Sequence, residues 1–128
     1  MTSVEEKLAT YPELLAKRLS QVRTLVQEIA TTTKSIGTLE ENLKWGQISI
    51  ATVRPKTGTP IRIDGNMDAA TYSIYMPCSS NLMEGFRTLH PDMFDFHGNR
   101  EIRLELSEPM PEAELTLFIT AALRYYLK

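Results

Sequence analysis

The sequence predicts an α+β fold, a five-stranded and mostly antiparallel sheet with helices packed on one of its faces. Three observations predict it. Apolar residues recur at steps of three and four through the first quarter of the chain, the period changes to two from Gln47 onward, and a second helical stripe follows Pro111. A helix buries a stripe and a strand buries a face, so a chain that changes period in this way must pack a sheet against helices drawn from both its ends.

The elements can be justified in order. Ser3 with Glu6, Thr10 with Glu13 and Thr38 with Glu41 each match the capping box, in which a hydroxyl accepts an amide of the first turn and a glutamate returns to the cap amide. The longest helix begins at Pro12, whose missing N–H is harmless in a first turn, and carries Leu15, Leu19, Val22, Val26 and Ile29 as one stripe. Thr31, Thr32 and Thr33 are β-branched, so the helix should fade there. The box at Thr38 and Glu41 predicts a further short helix docked by Leu39 and Leu43, with Gly46 as the left-handed residue that releases the chain into the first strand. Trp45, the only tryptophan, then packs as an anchor between that helix and the sheet; an exposed platform is the alternative.

Residues 48–54, 59–64 and 71–76 are rich in Ile, Val, Thr and Tyr and are separated by turn-formers, which predicts an antiparallel meander. Ile61 and Ile63 share a covered face, with Arg62 on the other. A helix capped by Ser79 or Ser80 should present Leu82, Phe86 and Leu89 and stop before Pro91. Phe94 and Phe96, a Gly-Asn turn, and then Ile102, Leu104 and Leu106 form a hairpin pattern. The last helix opens at Pro111 and buries Leu115, Phe118, Ile119, Ala122 and Leu123.

Composition narrows the function classes. With 128 residues the chain fits one domain, helical over 1–37 and carrying the sheet and closing helix over 38–128. Its 14 basic and 16 acidic residues are well mixed and sum to a net charge of −2, which leaves no electrostatic footprint for nucleic acid. The single Cys78 excludes an internal disulfide framework and suits a reducing compartment. No basic-then-apolar leader and no apolar run of about 18 residues is present, so a soluble cytoplasmic protein without membrane contact is expected. No P-loop, no GxGxxG after a strand and no GxSxG elbow occurs, so an enzyme is the less favoured class.

The stretches LEENLKWGQIS, PIRID, YSIYMPCSSNLMEGFR, FDFHGNREIRL and ALRYYLK, in that order and spacing, resemble the YdhG-like domain of unknown function found in bacteria. The resemblance runs from about residue 38 to the C-terminus; LxExLKWGQ and the GNR turn are its distinctive pieces. It implies a compact fold similar to frataxin, and one relative is regarded as a frataxin-like iron chaperone. The chain departs from the pattern at Met76, Pro77 and Cys78, where relatives carry an aromatic, His and Cys, and at Tyr126, where His is common.

Two candidate sites follow. Iron held by acidic surface residues, as the resemblance implies, would use Glu5, Glu6 and Glu13, although capping and the helix dipole already account for glutamates in a first turn. Cys78, His90 and His97, with Asp92 and Asp95, gather ligand types in one region at spacings that match no metal motif. The second candidate is an anion pocket of Lys44, Trp45, Arg62 and Arg100. Arg100 is in phase with Ile102 and Leu104, which places it at the rim of the covered side. Its favoured partner is an internal carboxylate such as Glu41, making a structural bridge; the alternative is a ligand carboxylate or phosphate. The function expected from these readings is a small binding or chaperone-type domain for iron or a small anion, with a protein-interaction module acting through a homodimer or an exposed sheet face as the alternative.

Overall fold

The computed structural model describes residues 3–127. The chain opens with helix α1 (Val4–Ala9), and its capping box is formed: Ser3 Oγ accepts the Glu6 amide and the Glu6 carboxylate accepts the Ser3 amide, both at 3.1 Å. Thr10 serves the other end of the same helix, its hydroxyl donating to the Lys7 carbonyl, so it does not cap the next one. Helix α2 (Glu13–Thr32) starts directly after Pro12 and buries Leu15, Leu19, Val22, Val26 and Ile29, the stripe its period requires.

The stretch after α2 departs from the expected helix. Thr38–Lys44 is a strand, β1, joined to β2 (Gln47–Arg54) by a two-residue hairpin turn, with Lys44 paired to Gln47. Trp45 and Gly46 are that turn, with φ of 56° and 76°; positive φ at both central positions gives the twist that matches the flanking strands. Trp45 is 89% exposed and anchors nothing. A left-handed tryptophan costs about 1 kcal/mol that Gly or Asn would largely avoid. Glu41 explains why the strand holds. On β1 it turns toward the helices together with Leu39 and Leu43, and Arg23 of α2 grips its carboxylate from Nε (2.8 and 3.0 Å) and Nη2 (2.6 Å), while Gln27 adds a bond of 3.2 Å.

Strands β3 (Ile61–Asn66) and β4 (Thr71–Tyr75) continue the meander. A single 3₁₀ turn then leads to α3 (Leu82–Leu89), where Ser80 Oγ accepts the Leu82 amide. Helix α3 buries Met83 and leaves Leu89 75% exposed, so the expected stripe of Leu82, Phe86 and Leu89 is rotated. The hairpin of β5 (Asp95–His97) and β6 (Glu101–Glu105) turns through Gly98, Asn99 and Arg100, and α4 (Glu112–Leu123) buries the five residues its stripe contains.

Among the described residues there are thus four α-helices and one six-stranded antiparallel sheet of order β1-β2-β3-β4-β6-β5; the sixth strand is the segment expected to be a helix. Helix α2 packs against β1, β3, β4 and α4. The covered face of the sheet carries Ile48, Ile50, Ile61, Ile63, Tyr72, Ile74, Ile102 and Leu104, all buried. The loop between β2 and β3 is pinned to the end of α4: Thr52 Oγ1 accepts the amides of Thr57 and Gly58, and the Thr59 amide bonds the Ala122 carbonyl. A Cβ on Gly58 would overlap the Ala122 carbonyl and the Leu123 backbone, so the TGTP stretch needs its glycine for close approach as well as for turning. No helix among the described residues is long and apolar enough to cross a membrane.

Candidate functional site

Alternation along each strand sends every second side chain to the face away from the helices, and the registers align these residues across the sheet. Asn42, Ser49, Arg62, Tyr75, Glu101 and His97 stand opposite one another in turn, one from each strand, as a straight row. A parallel row holds Asp64, Ser73, Arg103 and Asp95. Hydrogen-bonding and ionisable groups therefore occupy most of one face, where antiparallel sheets commonly meet water.

The middle of this face is held by Glu101. Its Oε2 accepts from Ser73 Oγ and from Arg103 Nε, both at 2.8 Å. Burial alone would raise this carboxyl, but the bonds from Arg103 and Ser73 outweigh it and hold the group below its ordinary range. Tyr75 shifts the other way: burial first, then the Glu101 charge, push its phenol above 10.0, so its O–H stays on as a donor. Farther along, the β2–β3 ladder ends at Ile48 and Ile63, and Tyr11 from the α1–α2 corner donates its hydroxyl to Asp64 just beyond that end. Burial and the Asp64 carboxylate raise the Tyr11 phenol in turn. On β5, His97 Nε2 lies 3.0 Å from Asp95 Oδ2 without the alignment of a hydrogen bond, a contact that gains strength only when the imidazole is charged.

One end of the face is a depression of about 740 Å³ lined by Gln47, Arg62, Tyr75, Met76, His97, Gly98, Asn99, Arg100 and Glu101. Arg62 reaches it from the start of β3, fixed between Ser49 and Tyr75 by register. Arg100 reaches it from the turn before β6; its carbonyl accepts the Met76 amide at 2.9 Å, and Arg87 of α3 braces the same turn through the Gly98 carbonyl and Asn99 Oδ1. Arg100 is exposed, because it precedes the first residue of β6 and the strand's alternation does not extend back through a turn. The expected bridge to Glu41 is not made: Arg23 holds that carboxylate on the opposite side of the sheet. The ion pairs among the described residues are made by Arg23, His97 and Arg103, so Lys44, Arg62 and Arg100 enter none of them.

Two of the four anion-site residues thus come together, Arg62 and Arg100. Lys44 and Trp45 sit at the tip of the β1–β2 hairpin, next to Gln47 but outside the depression's lining. Neither Gln47 nor His97 stands out in the sequence for this site; the period-two alternation from Gln47 is the usable signal for the first, and His97 shows there only as a metal-ligand type.

A scan against protein-family models finds no match. Searches of curated proteins and of solved structures likewise return nothing similar.

The acidic candidates are dispersed. Glu5 bonds Arg23 at 3.0 Å, Glu6 closes its cap with Ser3, and Glu13 opens α2. Among the described residues no three His, Cys, Asp or Glu side chains gather in a way that could hold a metal ion. His90 ends α3, with its ring centroid 6.0 Å from that of Phe86, Asp92 is exposed in the following turn, and the Cys78 side chain lies outside the described residues.

Proposed function

We propose that this domain binds a small anion, a carboxylate or a phosphate, on the open face of its sheet between Arg62 and Arg100. One observation carries the reading. Two arginines outside every ion pair share one depression, and its only carboxylate, Glu101, is already engaged by Arg103 and Ser73. The remaining lining suits an acceptor-rich ligand, since the amides of Gln47 and Asn99 and the protonated Tyr75 hydroxyl are donors. Guanidinium groups offer paired N–H donors that match a carboxylate or phosphate edge, and such charge-assisted bonds are stronger than neutral ones. The role is that of a binding domain rather than an enzyme.

Gln47 and Arg100 both lie in the LxExLKWGQ and GNR pieces that resemble the YdhG-like domain. Isothermal titration with inorganic phosphate and with citrate tests the proposal. Each of Arg62→Ala and Arg100→Ala should weaken binding by about tenfold or more. No heat with either anion, or an affinity in both variants unchanged from that of the parent protein, would count against it. Ferrous iron added anaerobically to the same protein separates this reading from a frataxin-like one, in which Glu5, Glu6 and Glu13 take part and Arg62 does not.

A further inference from the structure

The free edge of β1 leads beyond the anion site. A two-residue hairpin closes on a hydrogen-bonded pair, here Lys44 and Gln47, so alternation turns the peptide groups of Leu39, Glu41 and Leu43 away from β2. Among the described residues nothing bonds those outward groups. An exposed edge of this kind pairs readily with another strand unless it is covered, bulged or charged against it. This one carries an exposed Glu40 and an exposed Lys44 on the open face, separated by Asn42, whose Oδ1 is buried without a partner. On the helix side the edge borders a depression that includes Val4, Leu39 and Leu43.

We propose that the β1 edge pairs with the β1 edge of a second copy of this chain, antiparallel about a two-fold axis through Asn42. Charge selects the register. With Asn42 opposite Asn42 of the second copy, each Lys44 faces a Glu40. Shifting by one pair of residues would set Glu41 against Glu41 and move Lys44 opposite Thr38, losing both attractions. The chosen register also carries Trp45 alongside Leu39 of the second copy, at the depression beside that strand, where Val4 and Leu43 also lie. An indole held outward by a left-handed turn, 89% exposed in the single chain, then has a surface to cover. The two sheets become one of twelve strands, and the two anion depressions lie on the same continuous face.

Sedimentation over roughly 1 to 500 μM, with the emission of the sole tryptophan followed over the same range, tests the pairing. A monomer–dimer equilibrium is expected, with Trp45 emission shifting to the blue as the dimer fills. Lys44→Glu and Glu40→Lys should each weaken association by about tenfold or more, and the double variant should restore it, because each swap turns two attractions into two repulsions. Far-UV circular dichroism of each variant distinguishes lost pairing from lost folding. A monomer at every concentration, a dimer indifferent to both reversals, or a dimer whose tryptophan emission stays fixed would overturn the proposal.

Discussion

The two faces of the sheet are made by the same strands and are governed by different rules. The face toward the helices is a continuous layer in which Ile48, Ile50, Ile63, Ile74 and Ile102 are fully buried, while the opposite face carries Arg62, Tyr75, Glu101 and His97 in one cross-strand row. The first face stabilises the fold by burial, which is indifferent to direction; the second depends on which charge meets which, and so on register. Stability should therefore reside on one side and ligand recognition on the other.

Substitutions can break this comparison, and the largest effect is expected in the core. Ile63→Ala should cost about 3 to 4 kcal/mol in denaturant unfolding and leave anion affinity unchanged, because it opens a cavity beneath α2. Next comes Arg23→Ala, which leaves the largely enclosed Glu41 carboxylate with only Gln27 to bond it; a loss of about 2 kcal/mol is expected by the same measurement. The open face contributes less, and in a pH-dependent way. Glu101 is held below its ordinary value of 4.5 in the folded chain, so its contribution is complete above 4.5 and is lost as pH falls further, through the lower folded value. Unfolding followed from pH 7 to pH 3 should show an acid limb that flattens in Glu101→Gln. Trp45→Ala sits at the bottom of the scale. It removes an exposed side chain from a left-handed position and should change stability of the monomer by less than about 0.5 kcal/mol.

Those rankings follow how legible each region was. The stripes of α2 and α4 could be read directly, since every residue named on them is buried. The segment at Thr38 could not, for a geometric reason: Leu39 and Leu43 lie on one face both at the helical spacing of four and at the strand spacing of two. Glu41, the residue that would have broken the tie, is charged and looks out of place on a covered strand. Its justification is Arg23, eighteen positions earlier and on another element. Trp45 hid the hairpin further, because the left-handed first position of such a turn ordinarily holds Asn, Asp or Gly. Helix α3 has two turns only, too few to fix which side faces inward.

The proposed anion site was legible in half. Arg62 could be placed on the open face by alternation along β3, and its depression with Arg100 required the strand order, which brings β6 beside β4. The phase of Arg100 was misread because alternation holds only within a strand, and the Glu41 bridge was expected because no contact across the fold could be seen in one dimension. In this sheet burial announced itself through period, and the grouping of the polar face through register.

Anion binding between Arg62 and Arg100 is tested most directly by an amide-resolved NMR titration of the protein with inorganic phosphate. Shifts confined to Gln47, Arg62, Tyr75 and the Gly98–Arg100 turn, and abolished in Arg62→Ala, are the predicted result. Shifts that fall on the helix side, or that persist unchanged in Arg62→Ala, would contradict it.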